Sequence, residues 1–518
     1  MKRIKSSITN ASLGVIATVV EIATLLFLKQ KFINELGDSV YGLDQFIKTI
    51  ISALSLVEFG VESIICFSLY KPICEKNYKE IVALMQFYKK TYIKISFAVL
   101  ILGLIFTPLL TIFTEEYNKN LKFLYFSYIL FLITAFSSYF FSYSRTFLIA
   151  IQKKFILSLL RIIFAIATTI ALFLIIIKTR DYILYLSISG ILQILENIAT
   201  YFLVKRSYPY LYSKKKYNLL PEKYGEIKKN MKALVAHRVG GTFVLSTDGM
   251  IVTILNDLET FGFFSNYSMI IFSTHKILTQ IFDGIRASLG DFASQKNKSQ
   301  IKKFFLILQT IAFIIYTWSS VFILNLCQPF IELWIGKDKQ LSYIVLAMFV
   351  LNFYLRGFRS PIDLIKDVKG IYWQDRYKSI FEGAIKVVSS VFLGKYLGYT
   401  GVVLGTTISF VGVLLTVEPY IVYKYIFNEK VFSYYINYIK YFVMFVIIST
   451  ANFFICSIFT ENQSISSLMM KRFAICLITP PVFFIIFLIK TQEFRYLSSL
   501  LKTLLSSFKK SFKTKIKF

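Results

Sequence analysis

Residues 41–70 read YGLDQFIKTIISALSLVEFGVESIICFSLY, a stretch long enough to cross a bilayer as a helix that nevertheless carries four charged side chains. In one continuous α-helix, at about 100° per residue, Asp44, Lys48, Glu58 and Glu62 would share a face. Because an unpaired charge in hydrocarbon is costly, that face must contact other protein or a water-filled cavity. The stretch therefore predicts a helical membrane protein with a polar interior.

Composition agrees with this class. Of the 518 residues, 56% are hydrophobic and 17% aromatic, and the mean hydropathy is +0.62. The opening MKRIKSSITNASLGVIATVVEIATLLFL has the basic start of a signal peptide, but its apolar run is long, contains Glu21 and leads into further spans, so we expect a retained helix. The five cysteines lie far apart without a CxxC pair, and we predict packing roles, with no disulfide, metal or cofactor.

Hydropathy windows of about 20 residues predict an all-α integral membrane fold of about fourteen transmembrane helices. Helices 3, 4, 9, 13 and 14 are apolar almost throughout, and we expect them to be lipid-facing supports. The predicted spans are residues 11–28, 43–68, 92–113, 121–143, 156–177, 182–204, 233–254, 263–288, 304–326, 341–358, 377–394, 401–423, 438–458 and 471–489.

The distribution of basic residues predicts the orientation of these helices. With the N-terminus in the cytoplasm, 38 of the 59 Lys and Arg residues fall in cytoplasmic segments, eight in external loops and 13 within spans. Both termini are therefore expected to be cytoplasmic. The net charge of +30 follows from this topology, and nucleic-acid binding is not indicated, because the sequence predicts no soluble basic domain.

The long basic connection 205–232 separates six predicted helices from the next eight and indicates two lobes. A short similarity between VYGLDQFI (40–47) and TFGFFSNY (260–267) favours a duplication. The C-terminal tail alternates apolar and basic residues and is expected either to lie on the anionic inner leaflet or to be solvated. The predicted divisions are an N-lobe at 1–206, a linker at 207–231, a C-lobe at 232–428, helices 13 and 14 at 429–490, and the tail at 491–518.

Predicted helices 7 and 8 also carry charged faces. His237 and Asp248 are eleven residues apart and share a face, with Arg238 beside them. His237 is either a proton relay or a packing residue. The polar face of helix 8 consists of Asn266, Ser273, Lys276, Gln280 and Asp283.

Several basic side chains have an alternative interpretation. Arg161 and Arg238 lie close to the predicted cytoplasmic ends of their helices, so they either line a cavity or extend to lipid phosphates. Lys48 and Lys386 either serve the cavity or pair with the acid four residues before them.

Eight motifs carry a family resemblance, and they stand in this order: LGDSVYGL (36–43), VEFGVESIICFSLYKP (57–72), HRVGGTFVLSTDGMIVTIL (237–255), FSNYSMI (264–270), RASLGDF (286–292), LWIGKD (333–338), YLRGFRSPIDLIKDVKGIYWQDRYKSIFEG (354–383) and GYTGVVLGTTIS (398–409). Together they resemble the Wzx-type polysaccharide flippases of the MOP exporter superfamily. The resemblance implies two pseudo-symmetric six-helix lobes around a central cavity, with two added C-terminal helices.

The resemblance also implies transport of undecaprenyl-diphosphate-linked oligosaccharide between the leaflets of the bacterial inner membrane, for O-antigen or capsule synthesis. Implied partners are this substrate, membrane lipids, a coupling cation (H+ or Na+) and a polysaccharide polymerase of the same pathway. The family has no catalytic signature to transfer, so the site residues are predicted from charge alone. The predicted substrate-binding residues are Lys48, Arg161, Arg238, Lys276 and Arg286. The predicted cavity or coupling residues are Glu21, Asp44, Glu58, Glu62, His237, Asp248 and Asp283.

Two other function classes compete with this interpretation. An enzyme is not indicated, because the sequence has no Walker, GxGxxG, HExxH or GxSxG motif and no long external loop for a catalytic site. The alternative transporter is a cation-coupled multidrug antiporter of the MATE type. Such an antiporter would have an acidic, mostly uncompensated cavity, whereas Lys and Arg within the spans favour an anionic substrate.

Overall fold

A computed structural model represents the chain. It describes residues 2–54, 58, 61–113, 121–213, 247–295, 298–369, 377–459 and 464–499, and also residues 215, 217, 219, 221, 224, 225, 227, 371 and 374. Nearly all of these residues are helical, and the described ranges contain no β-strand.

The N-terminal half of the chain has eight α-helices in the described ranges. They are α1 (Lys2–Leu36), α2 (Asp38–Leu54), α3 (Val61–Cys74), α4 (Tyr78–Phe106), α5 (Leu110–Phe113), α6 (Leu121–Ala150), α7 (Lys154–Thr179) and α8 (Tyr182–Ser207).

Residues 247–255 are helical and precede the helices of the C-terminal half. Two π-helical turns, Phe410–Leu414 and Tyr423–Phe427, flank the short α14. The helices are α9 (Leu258–Gln295), α10 (Lys298–Ile335), α11 (Tyr343–Phe358), α12 (Ser360–Lys369), α13 (Lys378–Ser409), α14 (Leu415–Val422), α15 (Phe432–Phe459) and α16 (Ile465–Leu488).

Eight helical segments in the described ranges are long and apolar enough to cross a membrane. The most apolar is α7, with a mean hydropathy of 2.7; only 11% of its apolar window is buried, as expected of a helix that faces lipid. The segment Lys378–Phe427 has 50 residues and contains two of the predicted spans. The predicted class, an all-α membrane protein with many spans, is confirmed.

Residues 1–266 and 376–409 form one compact unit, and residues 267–375 and 410–518 form a second. These units differ from the lobes predicted from the sequence, because part of the predicted C-lobe groups with the N-terminal helices. The predicted lobe boundaries, and the duplication behind them, remain predictions.

In the first unit, α1 packs along α7, and α6 contacts both α4 and α8. A glycine permits the close approach of α4 to α6, since a Cβ at Gly103 would collide with a methyl group of Leu132. Buried tyrosines of α4, Tyr88 and Tyr92, occupy the interior beside these helices. This arrangement brings hydroxyl groups close to Glu58 and Glu62.

The charged stretch at 41–70 is not one continuous α-helix. The described part of α2 ends at Leu54 and α3 begins at Val61, while Glu58 between them lies in a 3-10 turn. The prediction that the four charged residues share one face assumes an unbroken α-helix over 43–68, and that geometry is wrong at Glu58. Asp44 and Lys48 belong to α2, and Glu62 belongs to α3.

In the second unit, α10 is a buried helix, with 56% of its apolar window covered by protein. It packs against α11, α12, α15 and α16. The prediction that this helix, the ninth predicted span, is a lipid-facing support is wrong, because hydropathy cannot distinguish burial in protein from burial in lipid. Its buried polar residues are Gln309, Thr310, Thr317, Ser320, Asn325 and Gln328.

A glycine divides α13 into two limbs, 378–397 and 399–409. Gly398 has φ 58° and ψ −143°, a conformation that side-chain-bearing residues adopt only with strain. The limbs then pack against each other so closely that a Cβ at Gly405 would lie 2.5 Å from the backbone nitrogen of Ser390. The turn agrees with the two separate spans predicted for this region.

The two stretches predicted to form a repeat contact each other in the first unit. A Cβ at Gly42 would collide with the carbonyl oxygen of Leu258, and one at Gly262 would lie 3.5 Å from the Cα of Gly42. The Tyr41 hydroxyl lies 3.1 Å from the side-chain oxygen of Asn266 and donates a hydrogen bond to it. The backbones therefore meet where both helices have glycine.

Candidate functional site

Asp44 is the centre of a buried polar cluster near the start of α2. Its side chain is almost fully enclosed, and one carboxylate oxygen accepts hydrogen bonds from Lys48 Nζ at 2.7 Å and from Gln45 Nε2 at 2.9 Å. The Tyr182 hydroxyl donates to the other oxygen at 3.4 Å. Lys48 thus pairs with Asp44, in agreement with one of its two sequence interpretations, while 47% of its side chain stays exposed.

Lys29 belongs to the same cluster, although the sequence does not predict it as a site residue. It is buried, with 6% of its surface exposed, and its ammonium lies 4.6 Å from the centre of the Tyr41 ring. It is within electrostatic range of both Asp44 and Lys48. Hydropathy ends the first span at residue 28 and so assigns Lys29 to the external loop. The described cluster therefore includes Lys29 and Lys48 beside Asp44.

Glu58 and Glu62 are held by hydroxyl groups from other helices. Tyr92 of α4 donates a hydrogen bond to Glu58, and Thr146 of α6 donates one to Glu62 at 3.2 Å. The hydroxyl of Tyr88 lies 2.8 Å from that of Thr146 and extends the network. Charges at membrane depth need partners from outside their own helix, and the structure provides them for both acids.

One ion pair joins α1 to α7, and another joins α6 to α8. Arg161 lies 3.8 Å from Glu21, and both side chains are close to half exposed. Arg145 lies 3.1 Å from Glu196 and is within electrostatic range of both Arg161 and Glu62. Neither Arg145 nor Glu196 is predicted from the sequence: Arg145 follows the fourth predicted span, and Glu196 lies inside the sixth, where its charge is a signal that could have found it. The pairs link Glu21 and Arg161 electrostatically to the Glu62 network.

Asp248 pairs with Lys386 within the first unit. The Lys386 ammonium lies 2.9 Å from one oxygen of Asp248, and the Thr406 hydroxyl lies 3.4 Å from both oxygens. Lys386 and Thr406 come from opposite limbs of α13, which the turn at Gly398 brings together. The only pair that the sequence predicts for Lys386 is a local one, so this distant partner is new.

A second buried charge network lies in the second unit, and the sequence does not predict it. Arg359 donates to both oxygens of Glu418, and Lys366 lies 3.0 Å from one of them. Asp363 lies 2.8 Å from Arg359 and 3.8 Å from Lys366. Glu418 has no exposed side-chain surface. A sequence signal is present in RSPIDLIK, whose charges recur at helical spacing, but that spacing does not identify a partner 52 residues away.

The remaining predicted site residues lie elsewhere or outside the described ranges. Lys276 is on α9 and is exposed, next to His275, whose ring contacts Tyr316 and Phe353. The chain positions of Asp283 and Arg286 are described, but their side chains are not. His237 and Arg238 lie outside the described residues.

Charge compensation is the common chemistry of these clusters. Lys48 and Arg161, the predicted substrate-binding residues described in the first unit, each contact an acid and each keep 47% of the side chain exposed. Such a side chain can donate further hydrogen bonds to an anion without leaving its carboxylate unpaired. Within the described ranges no three His, Cys, Asp or Glu side chains group as metal ligands would. The predicted convergence of all these charges on one cavity remains a prediction.

Comparison of sequences finds no match to a family model and none to a curated protein. Comparison of structures finds several matches. The lipid II flippase MurJ, in an inward closed conformation, matches with a TM-score of 0.69 at 16% identity, over 93% of this chain and 98% of MurJ. The chain has the fold of the MOP superfamily transporters.

Two transporters of the MATE family have the same MOP fold. An inward-facing MATE multidrug resistance transporter of the MOP superfamily matches with a TM-score of 0.59 at 13% identity, over 76% of this chain and 94% of its own. A mutant form of the Vibrio cholerae MATE transporter VcmN matches with a TM-score of 0.58 at 12% identity, over 82% of this chain and 100% of its own. These MOP-fold proteins are named as a flippase and as transporters, and the prediction that this chain is not an enzyme stays a prediction.

Proposed function

We propose that this chain is a flippase that moves undecaprenyl-diphosphate-linked oligosaccharide from the cytoplasmic to the outer leaflet of the bacterial inner membrane. The product feeds a surface polysaccharide such as O-antigen or capsule. A polysaccharide polymerase of the same pathway takes up the product, and the membrane lipids hold the undecaprenyl tail while the head group crosses.

The extent of the structural match supports this proposal over a drug antiporter. The match to the lipid II flippase MurJ extends over 93% of this chain, whereas the two MATE matches cover 76% and 82% of it. MurJ is named as a flippase of a lipid-linked substrate, lipid II. This chain matches MurJ over more of its length than it matches either MATE transporter, as expected if it also transports a lipid-linked substrate.

The main evidence for the proposal is that two basic side chains are half exposed and each contacts an acid. A diphosphate carries concentrated negative charge, and moving it to membrane depth requires basic groups that are already oriented and still have surface free to contact it. Lys48 and Arg161 have this arrangement. Lys29 is a second basic side chain near Lys48. Arg238, Lys276 and Arg286 complete the proposed set of substrate-binding residues.

Acids beside these bases prevent the substrate from binding too tightly. In the free protein Asp44 holds Lys48 and Glu21 holds Arg161, so a phosphate must compete with a carboxylate already in place. We propose that this competition lets the substrate leave after it has crossed. Glu58, Glu62, Asp283 and His237 are proposed to tune the same balance or to couple it to a cation.

The antiporter alternative predicts mostly uncompensated acids, and three of the described acids argue against it. Asp44, Asp248 and Glu418 each contact a lysine or an arginine. A cationic drug would have to displace these side chains and leave their charges buried.

Complementation of a strain lacking the gene tests the proposal. We expect the deletion to accumulate lipid-linked repeat units on the cytoplasmic side and to lose the surface glycan. The wild-type chain should restore the glycan, and Lys48→Ala and Arg161→Ala should each reduce it several-fold at equal protein abundance. Arg161→Lys should keep part of the activity, because it retains the charge but not the bidentate geometry.

Lys90→Ala is the matched control, since Lys90 is an exposed lysine of α4. It should leave the surface glycan unchanged. Normal glycan in all of the substrate-site variants would show that the basic groups do not bind the substrate. Export of cationic dyes by the wild-type chain, without any change in glycan on deletion, would favour the antiporter.

A further inference from the structure

Lys386 and Asp248 form an enclosed ion pair in the first unit. Lys386 is 1% exposed and its ammonium lies 2.9 Å from one carboxylate oxygen of Asp248. Asp248 itself is one-quarter exposed. The Thr406 hydroxyl is 3.4 Å from each carboxylate oxygen. The ammonium therefore sits against a small group of oxygen atoms and balances the charge of the carboxylate.

The same oxygen atoms suit a dissolved monovalent cation. A hard cation such as Na+ prefers carboxylate and hydroxyl oxygens, and a membrane-embedded carboxylate without a counter-charge would attract one. An ammonium group has the same charge and also bonds to oxygen. In this chain the positive charge comes from the protein itself.

The fold holds Lys386 in this place. The turn at Gly398 reverses the chain, and the limbs of α13 pack closely, so that Lys386 on one limb and Thr406 on the other both reach Asp248. Serine hydroxyls of the first limb donate hydrogen bonds to backbone carbonyls of the second limb. One of these bonds runs from Ser390 to the carbonyl of Val402 at 3.1 Å. The chain reversal at Gly398 thus positions both Lys386 and Thr406 against the Asp248 carboxylate.

We propose that Lys386 is a built-in counter-ion that fills a cation site at Asp248, so that this site does not bind Na+ during transport. A tethered ammonium is present at high effective concentration, and a dissolved ion that displaced it would leave a buried charge without its carboxylate. The sequence predicts that Asp248 takes part in coupling, and Lys386 removes it from that role. The inference rests on the proposed flippase function and deepens it, because it concerns the ion that the transport cycle uses.

The test is Na+ binding by purified protein in detergent. The thermal unfolding midpoint is measured in NaCl and in choline chloride at equal ionic strength. The wild-type midpoint should be the same in both salts. Lys386→Gln leaves the carboxylate and hydroxyl without the ammonium, and its midpoint should rise with Na+ concentration by about 3 °C, as expected when a ligand binds only the folded state.

The double variant Asp248→Asn/Lys386→Gln is the matched control and should show no Na+ effect, because the carboxylate is absent. Thr406→Val in the Lys386→Gln background should weaken the effect. A Na+-dependent midpoint in the wild type that Asp248→Asn abolishes would overturn the proposal. Equal midpoints in both salts for folded Lys386→Gln would overturn it as well.

The yield of folded protein covers the case in which Lys386→Gln is unstable. The variant is extracted in NaCl and, in parallel, in choline chloride, and its monodisperse fraction is measured by size-exclusion chromatography. Recovery in NaCl alone would support the cation site, and recovery in neither salt would contradict it. These measurements need no substrate, so they stand apart from the glycan assay, whose failure would affect only the proposed function.

Discussion

At the scale of single residues, complete burial of charge determines which substitutions are severe. Glu418 has no exposed side-chain surface and is contacted by both Arg359 and Lys366. Asp363 contacts the same two basic residues, but 36% of its side chain is exposed. Water can therefore replace Asp363 as a partner, whereas it cannot reach the position of Glu418.

We expect Glu418→Gln to lower the free energy of unfolding by about 3–5 kcal/mol, because the buried Lys366 and the mostly buried Arg359 lose their shared carboxylate. Asp363→Asn should lower it by about 1 kcal/mol or less, since exposed pairs contribute little. Denaturant titration of the purified variants in detergent measures both. Equal losses for the two substitutions would show that burial does not decide the outcome.

At the scale of helices, glycine determines where two segments approach. The α2 backbone at Gly42 meets the carbonyl of Leu258 so closely that no Cβ fits between them. Because that neighbour is backbone, it cannot rotate away as a flexible side chain would. Gly412, in contrast, has no heavy atom within 4 Å of the position that a Cβ would take.

Gly42→Ala should destabilise the chain by about 1–3 kcal/mol or more, because the two backbones must separate to admit the methyl group. Gly412→Ala is the control and should be neutral or stabilising by up to about 1 kcal/mol. Gly262→Ala should fall between them, since its Cβ would lie 3.1 Å from the Tyr41 ring. Thermal unfolding midpoints order the three variants, and a Gly42→Ala protein as stable as the wild type would refute the close contact.

At the scale of the whole molecule, topology in the membrane is set by basic residues. The sequence places 38 Lys and Arg in segments predicted to be cytoplasmic and eight in segments predicted to be external. The predicted topology can be tested directly by cysteine labelling. Of the five native cysteines, only Cys74 is exposed and would react, because the other four are buried.

In a Cys74→Ser background, cysteines introduced at Lys119 and Ser213 should react with a membrane-impermeant maleimide from opposite sides. Lys119 is predicted to be external and Ser213 cytoplasmic. Labelling in intact cells, followed by labelling after permeabilisation, separates the two positions. Reaction of both from the same side would mean that the predicted number of spans between them is wrong.

Much of the fold class follows from the sequence by itself. Mean hydropathy, span length and the placement of Lys and Arg are sums over local residues, and they are sufficient to predict a many-helix membrane protein. The pairing of Lys48 with Asp44 is also predictable, because the two residues stand one helical turn apart on α2. Charge inside a span is enough to mark Asp248 and Glu62 as residues that need partners.

The tertiary structure alone decides which residues those partners are. Lys386 reaches Asp248, and Arg359 reaches Glu418, only because segments far apart in the chain pack together. Lys29 has the sequence context of a loop residue, but tertiary packing buries it. Helix α10 has the hydropathy of a lipid-facing helix, but neighbouring helices cover it. Hydropathy measures only how favourable it is to move a side chain out of water. Whether that side chain then contacts lipid, an aromatic ring or an opposite charge depends on the tertiary fold.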